Sequence, residues 1–490
     1  MMRTPSLARL VWWALALLCA TASLLTFASP TAPWLDGALW AFLAMLAARA
    51  AFQRPRTAST LPPIWEALWD AAVQRPWRAV SMGAAFALTI WVLHRLPILP
   101  PGGTYRAYVV LWVLAIALYL LAVAPPRGWP RTDWSIWWEV NRRTALAGFT
   151  IVALAFIVRL VPLTPPTSLS LLTLPAPPTG NPFTITPEGI PTMSLLITSS
   201  ATRLAGGALV GGRLVWVLIG TLTVANAFWI GTRLKGVQIG LLTAFFVALW
   251  PLHVQASHHA EPTTALLFGL TLSTLMLQRG LDRRSPLDWG WVGVACAATF
   301  YTAPGGWLAG VVVLAVLGYL LLAERRAMWV LHRDGLFIAL GAFFLTIAPL
   351  LQFVWRTPQR AALLALPQTL HLTSTLNALA SIGSRETLSP LVAALFLFGL
   401  FYATLRLFLR EAEYRMAPMV LWFWCVLLLH ANSPTPSTPT ITLALGVPLL
   451  FFIALALWHL ALLGQRAWRG LSIPTTLITG ALLVALALVA

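Results

Sequence analysis

Charge is what this sequence has least of. Only 9% of its 490 residues are Asp, Glu, Lys or Arg, against 59% apolar, and the mean hydropathy is +0.81. So little polar surface cannot clothe a water-soluble fold, which excludes a soluble enzyme or binding domain and implies a polytopic membrane protein. Acidic residues are scarcer still, 14 against 32 basic ones. In a soluble protein a net charge of +18 would mark a polyanion-binding surface. In a membrane chain the placement of the arginines matters more than their sum, so nucleic acid is not the expected partner. Cysteine is nearly absent, and Cys19, Cys296 and Cys425 lie far apart in apolar segments. That excludes a disulfide framework and a cysteine metal site. No fixed-period repeat or nucleotide-binding glycine motif stands out. The glycine pairs Gly206-Gly207, Gly211-Gly212 and Gly305-Gly306 fit helix ends or close helix contacts.

What is there is a succession of apolar segments of spanning length, about fifteen of them, within two either way. They predict an all-α polytopic membrane protein. The first, from Leu10 to Ala28, follows Arg3 and Arg9 and imitates a secretory signal, but it is nearly long enough to span and reads as a retained first helix. With the N-terminus cytoplasmic, 24 of the 32 basic residues fall in inner turns or ahead of the first helix. The positive-inside rule therefore selects that orientation, with the chain integral to the cytoplasmic membrane. The outward turns are then 164–208, 253–262, 356–387 and 432–439.

The break Ala124-Pro125-Pro126-Arg127-Gly128-Trp129-Pro130 divides an accessory N-terminal bundle of four helices, 1–130, from a core, 131–490. Trp134, Trp137 and Trp138, followed by Arg142 and Arg143, predict an interfacial anchoring helix. The long segment 164–208 is rich in Pro and Thr up to Pro187. Thereafter the spacing of Ile190, Met193, Leu196, Ile197 and Leu204 predicts a short amphipathic helix on the outer surface.

Polar groups gather in one place, at Trp250-Pro251-Leu252-His253-Val254-Gln255-Ala256-Ser257-His258-His259-Ala260-Glu261-Pro262. Ionisable groups beside hydrocarbon usually face a cavity or the protein interior, which makes this turn the first functional candidate. The run from Arg213 through Gly220, the basic turn Gly231-Thr232-Arg233-Leu234-Lys235-Gly236, the helix ending at Pro251 and the segment Ser257 to Pro262 resembles the type-C glycosyltransferases. These use polyprenyl-phosphate sugars and include protein mannosyltransferases and lipid A aminoarabinose transferases. About 75 residues carry the resemblance; Arg159-Leu160 matches more loosely.

The resemblance implies transfer of a sugar from a polyprenyl-phosphate donor to an acceptor at the outer face of the cytoplasmic membrane, in a core beginning at the fifth helix. It implies membrane lipid and a polyprenyl-phosphate-linked sugar as partners. A carboxylate would take the acceptor's proton, and cations would stabilise the departing lipid phosphate. The family's early outer-loop acid is missing from Leu163-Thr164-Pro165-Pro166-Thr167-Ser168-Leu169-Ser170, so Glu188 is the loop's only carboxylate. The candidate catalytic residues are accordingly Glu188 and Glu261. Their bland reading is a carboxylate at a helix start. Candidate phosphate ligands are Arg159, Arg203, Arg213 and Arg385, each of which could instead snorkel at the interface. His253, Ser257, His258, His259 and Tyr301 are candidates to line the cavity, and Glu261 shares a helical face with Ser257 and His253. No metal ligand set is assigned; a divalent cation on His258, His259 and Glu261 is conceivable, but His-His-x-Glu is not a specific spacing. Two other readings stand beside the enzyme. One is an inactive subunit or scaffold partnered by other integral membrane subunits, on account of the missing acid. The other is a transporter of a lipid-linked substrate, disfavoured because charges lie at helix ends and no inverted repeat is evident.

Overall fold

The structure, a computed structural model, describes residues 76–96, 105–124, 134–161, 181–185, 190–206, 209–323, 325–357, 371–382, 389–408, 414–430, 432, 438–467 and 473–489. It is all-helical over these residues apart from an isolated bridge between Ile185 and Pro191. Among the described residues six helices are long and apolar enough to cross a membrane, seven if one bent pair counts as a single span. The protein is an all-α integral membrane protein.

The chain forms two compact units, Met1–Ala124 and Pro125–Ala490. In the first, α1 (Pro76–Arg95) and α2 (Arg106–Val123) pair as a hairpin. Phe86 meets Tyr119 edge-on and Trp91 stacks on Tyr108. The two helices predicted before residue 53 lie outside the described residues.

The second unit opens with α3 (Trp134–Leu160), a single 27-residue helix. Its first ten residues, predicted as a separate interfacial piece, run straight into the spanning part, Asn141–Leu160. Nothing between Asn141 and Thr144 breaks a helix, so the backbone has no reason to stop there. There follow α4 (Thr192–Leu204), α5 (Leu209–Lys235), α6 (Val237–Leu249), α7 (Pro251–His258), α8 (Pro262–Arg283), α9 (Pro286–Phe300), α10 (Leu308–Ala323) and α11 (Arg325–Arg356). Proline at the first position sets the starts of α7, α8 and α9, where the missing N–H is not needed. The α5–α6 hairpin turns at Gly236, whose φ of 101° suits glycine. The last part is α12 (Leu372–Ile382), α13 (Pro390–Phe408), α14 (Ala417–His430), α15 (Thr438–Ala444), α16 (Gly446–Ala467) and α17 (Ile473–Val489).

The core centres on α16, where every residue from Leu449 to Ala456 is fully buried. A helix apolar all round belongs inside a bundle, and α6, α13, α14 and α17 surround it. Glycine allows the closest approaches: a Cβ on Gly446 would lie 2.0 Å from the Trp250 ring, and one on Gly399 2.0 Å from the Phe452 carbonyl. At the far end of α8 from α7, Arg233 pairs with Asp282 at 2.7 Å and Arg279 with Asp288 at 2.8 Å, tying α5, α8 and α9 together.

Candidate functional site

The site grows from the break at Trp250-Pro251. Pro251 has no N–H, so the Val247 carbonyl, which a continuing helix would bond to residue 251, is left without its partner. The helix bends there by 56°. The buried Arg159 on α3 supplies the replacement: Nη2 donates to Val247 O at 3.2 Å and Nη1 to Ala248 O at 3.2 Å. Nη1 also donates to Ala155 O at 2.9 Å, and Nη2 to His253 Nδ1 at 2.7 Å. The cation thus sits at the negative end of the α6 dipole. Accepting at Nδ1 makes His253 the Nε2–H tautomer, and its Nε2 is buried without a hydrogen-bond partner.

α7 is short and packs against α3, α5, α6, α8 and α15, with Gln255 exposed. Ser257 Oγ donates back to His253 O at 2.6 Å. It fits because the facing residue is Gly220: a Cβ there would lie 2.2 Å from Ser257 Oγ and 3.1 Å from Arg159 Nε. The His258 ring lies by the Arg159 backbone carbonyl, and its Nε2 is buried without a hydrogen-bond partner. The His258 and His259 rings meet edge-on with centroids 5.1 Å apart.

The helix ends in a Schellman turn: Ala260 takes a left-handed φ of 56°, and Glu261 N–H reaches back to Ala256 O at 2.9 Å. Glu261 then begins α8 without capping it through its side chain. Its one hydrogen bond among the described residues comes from Thr263 Oγ1 at 3.3 Å. Burial raises the Glu261 pKa, and the Thr263 bond only partly offsets that rise. His259 is shifted down, first by burial and then by the charges of His258 and Arg213.

Arg213, near the start of α5, is near enough for its charge to lower the His259 pKa. Its Nε is buried without a hydrogen-bond partner. Among the described residues no carboxylate pairs with it. A guanidinium beside imidazoles, uncommitted among the described residues, is a ready receiver for an anionic oxygen.

Two of the remaining sequence candidates, Arg203 and Tyr301, lie among the described residues. Arg203 is exposed at the end of α4. Tyr301 is buried and committed elsewhere: its hydroxyl donates to Thr346 O at 3.0 Å and accepts from Leu350 N at 3.2 Å. It is thereby inserted into the helical bond that would join those two groups, next to Pro349 inside α11. Glu188 and Arg385 lie outside the described residues. The chain either side of Glu188 closes at the Ile185–Pro191 bridge, with Phe183 edge-on to Tyr301. Ser194 Oγ donates to Thr302 O at 2.7 Å, which fixes the start of α4 there. Among the described residues no group of three or more His, Cys, Asp or Glu converges as a metal site would. Sequence reasoning gave no role to Trp250, whose ring lies on Gly446. The aromatic just before a helix-breaking proline was the available signal.

The fold and this site define a polytopic helical membrane protein with a cation and two imidazoles gathered around a broken helix. The sequence profile of the dolichyl-phosphate-mannose-protein mannosyltransferases matches residues 190–353, about a third of the chain. No curated protein sequence matches it. Among solved structures, the chain is similar to ArnT from Cupriavidus metallidurans bound to undecaprenyl phosphate, at 16% identity and a TM-score of 0.49, covering 71% of this chain and 70% of that one. It is similar to the Archaeoglobus fulgidus oligosaccharyltransferase in complex with zinc and sulfate, at 13% identity and a TM-score of 0.44, covering 68% and 52%. The AglB complex from Archaeoglobus fulgidus with an inhibitory peptide and a dolichol-phosphate gives 12% identity and a TM-score of 0.41, covering 79% and 55%. The chain spans about half the length of these archaeal chains.

Proposed function

We propose that this protein is a glycosyltransferase that takes a sugar from a polyprenyl-phosphate donor and passes it to an acceptor at the outer face of the cytoplasmic membrane, with its N-terminus inside. The observation that carries this reading is Arg213: a guanidinium uncommitted among the described residues, set against His258 and His259, inside the stretch that the mannosyltransferase profile matches. In this reading Arg213 holds the donor phosphate and stabilises the charge it gains as the sugar leaves. Glu261 receives the acceptor's proton; its raised pKa makes it a stronger base than an ordinary exposed carboxylate. Glu188 is the second carboxylate that this role would suit. The missing acid in 163–170 favours a second reading, an inactive relative that serves as a subunit among other integral membrane proteins.

The test uses the full chain in lipid nanodiscs with dolichyl-phosphate-mannose and undecaprenyl-phosphate sugars as donors. Release of lipid phosphate that falls at least a hundredfold in Glu261→Gln or Glu188→Gln supports the enzyme. Donor binding with no release in the unaltered protein supports the inactive subunit. Absence of both binding and release refutes the two together.

A further inference from the structure

Arg159 touches α7 at both ends. Its guanidinium bonds His253 in the first turn, and its backbone carbonyl lies by His258 in the last. Four of its N–H groups are committed, three of them to backbone carbonyls and one to His253. The fifth, on Nε, is buried and lies 3.1 Å from where a Cβ on Gly220 would stand, so it faces the backbone of α5. No donor is left to point at a ligand, and the side chain is 0% exposed.

We infer that Arg159 is a positioning residue that holds the bend between α6 and α7, and so fixes His258 and the Glu261 turn against Arg213. The need for it comes from Pro251. A helix that stops at a proline inside a membrane leaves carbonyls that water cannot reach, and a buried cation at the negative end of the helix satisfies them. The same cation gathers the imidazole that starts the next helix, so the 56° bend has a fixed partner on α3. α3 leads directly into the segment that carries Glu188, so this contact also registers that segment's origin against α7. The functional consequence rests on the phosphate site proposed above; the geometric claim does not.

The experiment compares Arg159→Met, Arg159→Met/Pro251→Ala and Arg213→Ala in the full chain in nanodiscs, lacking its native cysteines. Three readouts are taken: thermal stability, affinity for a polyprenyl phosphate, and the distance between spin labels on Gln255 of α7 and Leu204 of α4, both exposed. Straightening a 56° bend carries a residue five positions beyond it by about 7 Å, at 1.5 Å rise per residue. Arg159→Met is expected to lower stability, broaden the distance and weaken binding at least tenfold. The double variant, which regains an N–H at residue 251, is expected to recover stability while the distance shifts by several ångströms and binding stays weak. Arg213→Ala should weaken binding with the distance unchanged. If Arg159→Met is not folded, Arg159→Gln, which keeps two N–H donors, takes its place. An unchanged distance in the Arg159 variants, with binding alone lost, makes Arg159 a ligand and overturns the inference. If the unaltered protein binds no polyprenyl phosphate, the phosphate site fails, and the distance readout still decides the role of Arg159.

Discussion

Gly220→Ala tests how closely α5 and α7 are fitted. The added Cβ would lie 2.2 Å from Ser257 Oγ, 2.9 Å from Ser257 Cβ and 3.1 Å from Arg159 Nε. Optimal carbon contacts are about 3.5–4.0 Å. Rotating the serine hydroxyl away would break its bond to His253 O and still leave the two Cβ atoms too close. α7 must therefore withdraw by roughly 0.5–1 Å, and overpacking of this kind costs about 1–3 kcal/mol. Replacing glycine by alanine inside a helix returns about 1 kcal/mol, so a net loss of about 0–2 kcal/mol is expected. Unfolding in mixed bicelles measures it, and Ser257→Gly in the same chain should relieve the clash, giving a coupling of about 1–3 kcal/mol. A Gly220→Ala protein more stable than the original, with no coupling to Ser257, would refute the packing described for this site.

Burial raises the pKa of Glu261, so the folded chain holds that proton at pH values where the unfolded chain has released it. Stability therefore falls as pH rises from the unfolded carboxylate range, about 4.3, through the folded value. Glu261→Gln should match the original near pH 4 and exceed it at pH 7 in thermal unfolding, while losing transfer. Tyr301→Phe removes the hydroxyl that bridges Thr346 O and Leu350 N, and should cost about 1–3 kcal/mol, with faster hydrogen exchange at the Leu350 amide. Asp288→Asn breaks the 2.8 Å pair with Arg279 and removes a carboxylate from the first turn of α9; because Asp288 is buried, the loss should reach about 1–3 kcal/mol in the same assay. Arg233→Ala, whose partner Asp282 is exposed, should change stability by less than about 1 kcal/mol.

The hairpin from Arg213 to Glu261 was legible in the sequence because its signals are local. Basic residues and glycine mark the α5–α6 turn and Pro251 marks the end of α6, whereas the stretch expected as the outward turn 253–262 is helical as far as His258. The helix after Pro187 was legible for the same reason, but its buried face is Thr192, Met193, Ser194, Leu195 and Thr198; of the predicted apolar spacing that face holds only Met193, and Leu204 is 91% exposed. Arg159 was recognised as notable, but its bonding was not, since its partners lie 88 to 94 residues away. Only the orphaned carbonyl that Pro251 must create hinted that some distant donor was required. The partners of Tyr301 were equally beyond the sequence, since its hydroxyl bonds a helix 45 residues further on. The continuity of α3 through Arg142 and Arg143 escaped the reading because tryptophans followed by arginines look alike on an interfacial helix and at the entrance of a spanning one.

The most direct test of the central claim is the affinity of the full chain for a polyprenyl phosphate, measured by fluorescence titration in nanodiscs with and without Arg213. Loss of charge-assisted hydrogen bonds worth about 1.5–3 kcal/mol should weaken binding roughly 10- to 150-fold in Arg213→Ala, with partial retention in Arg213→Lys. Equal affinities in all three proteins would contradict the account.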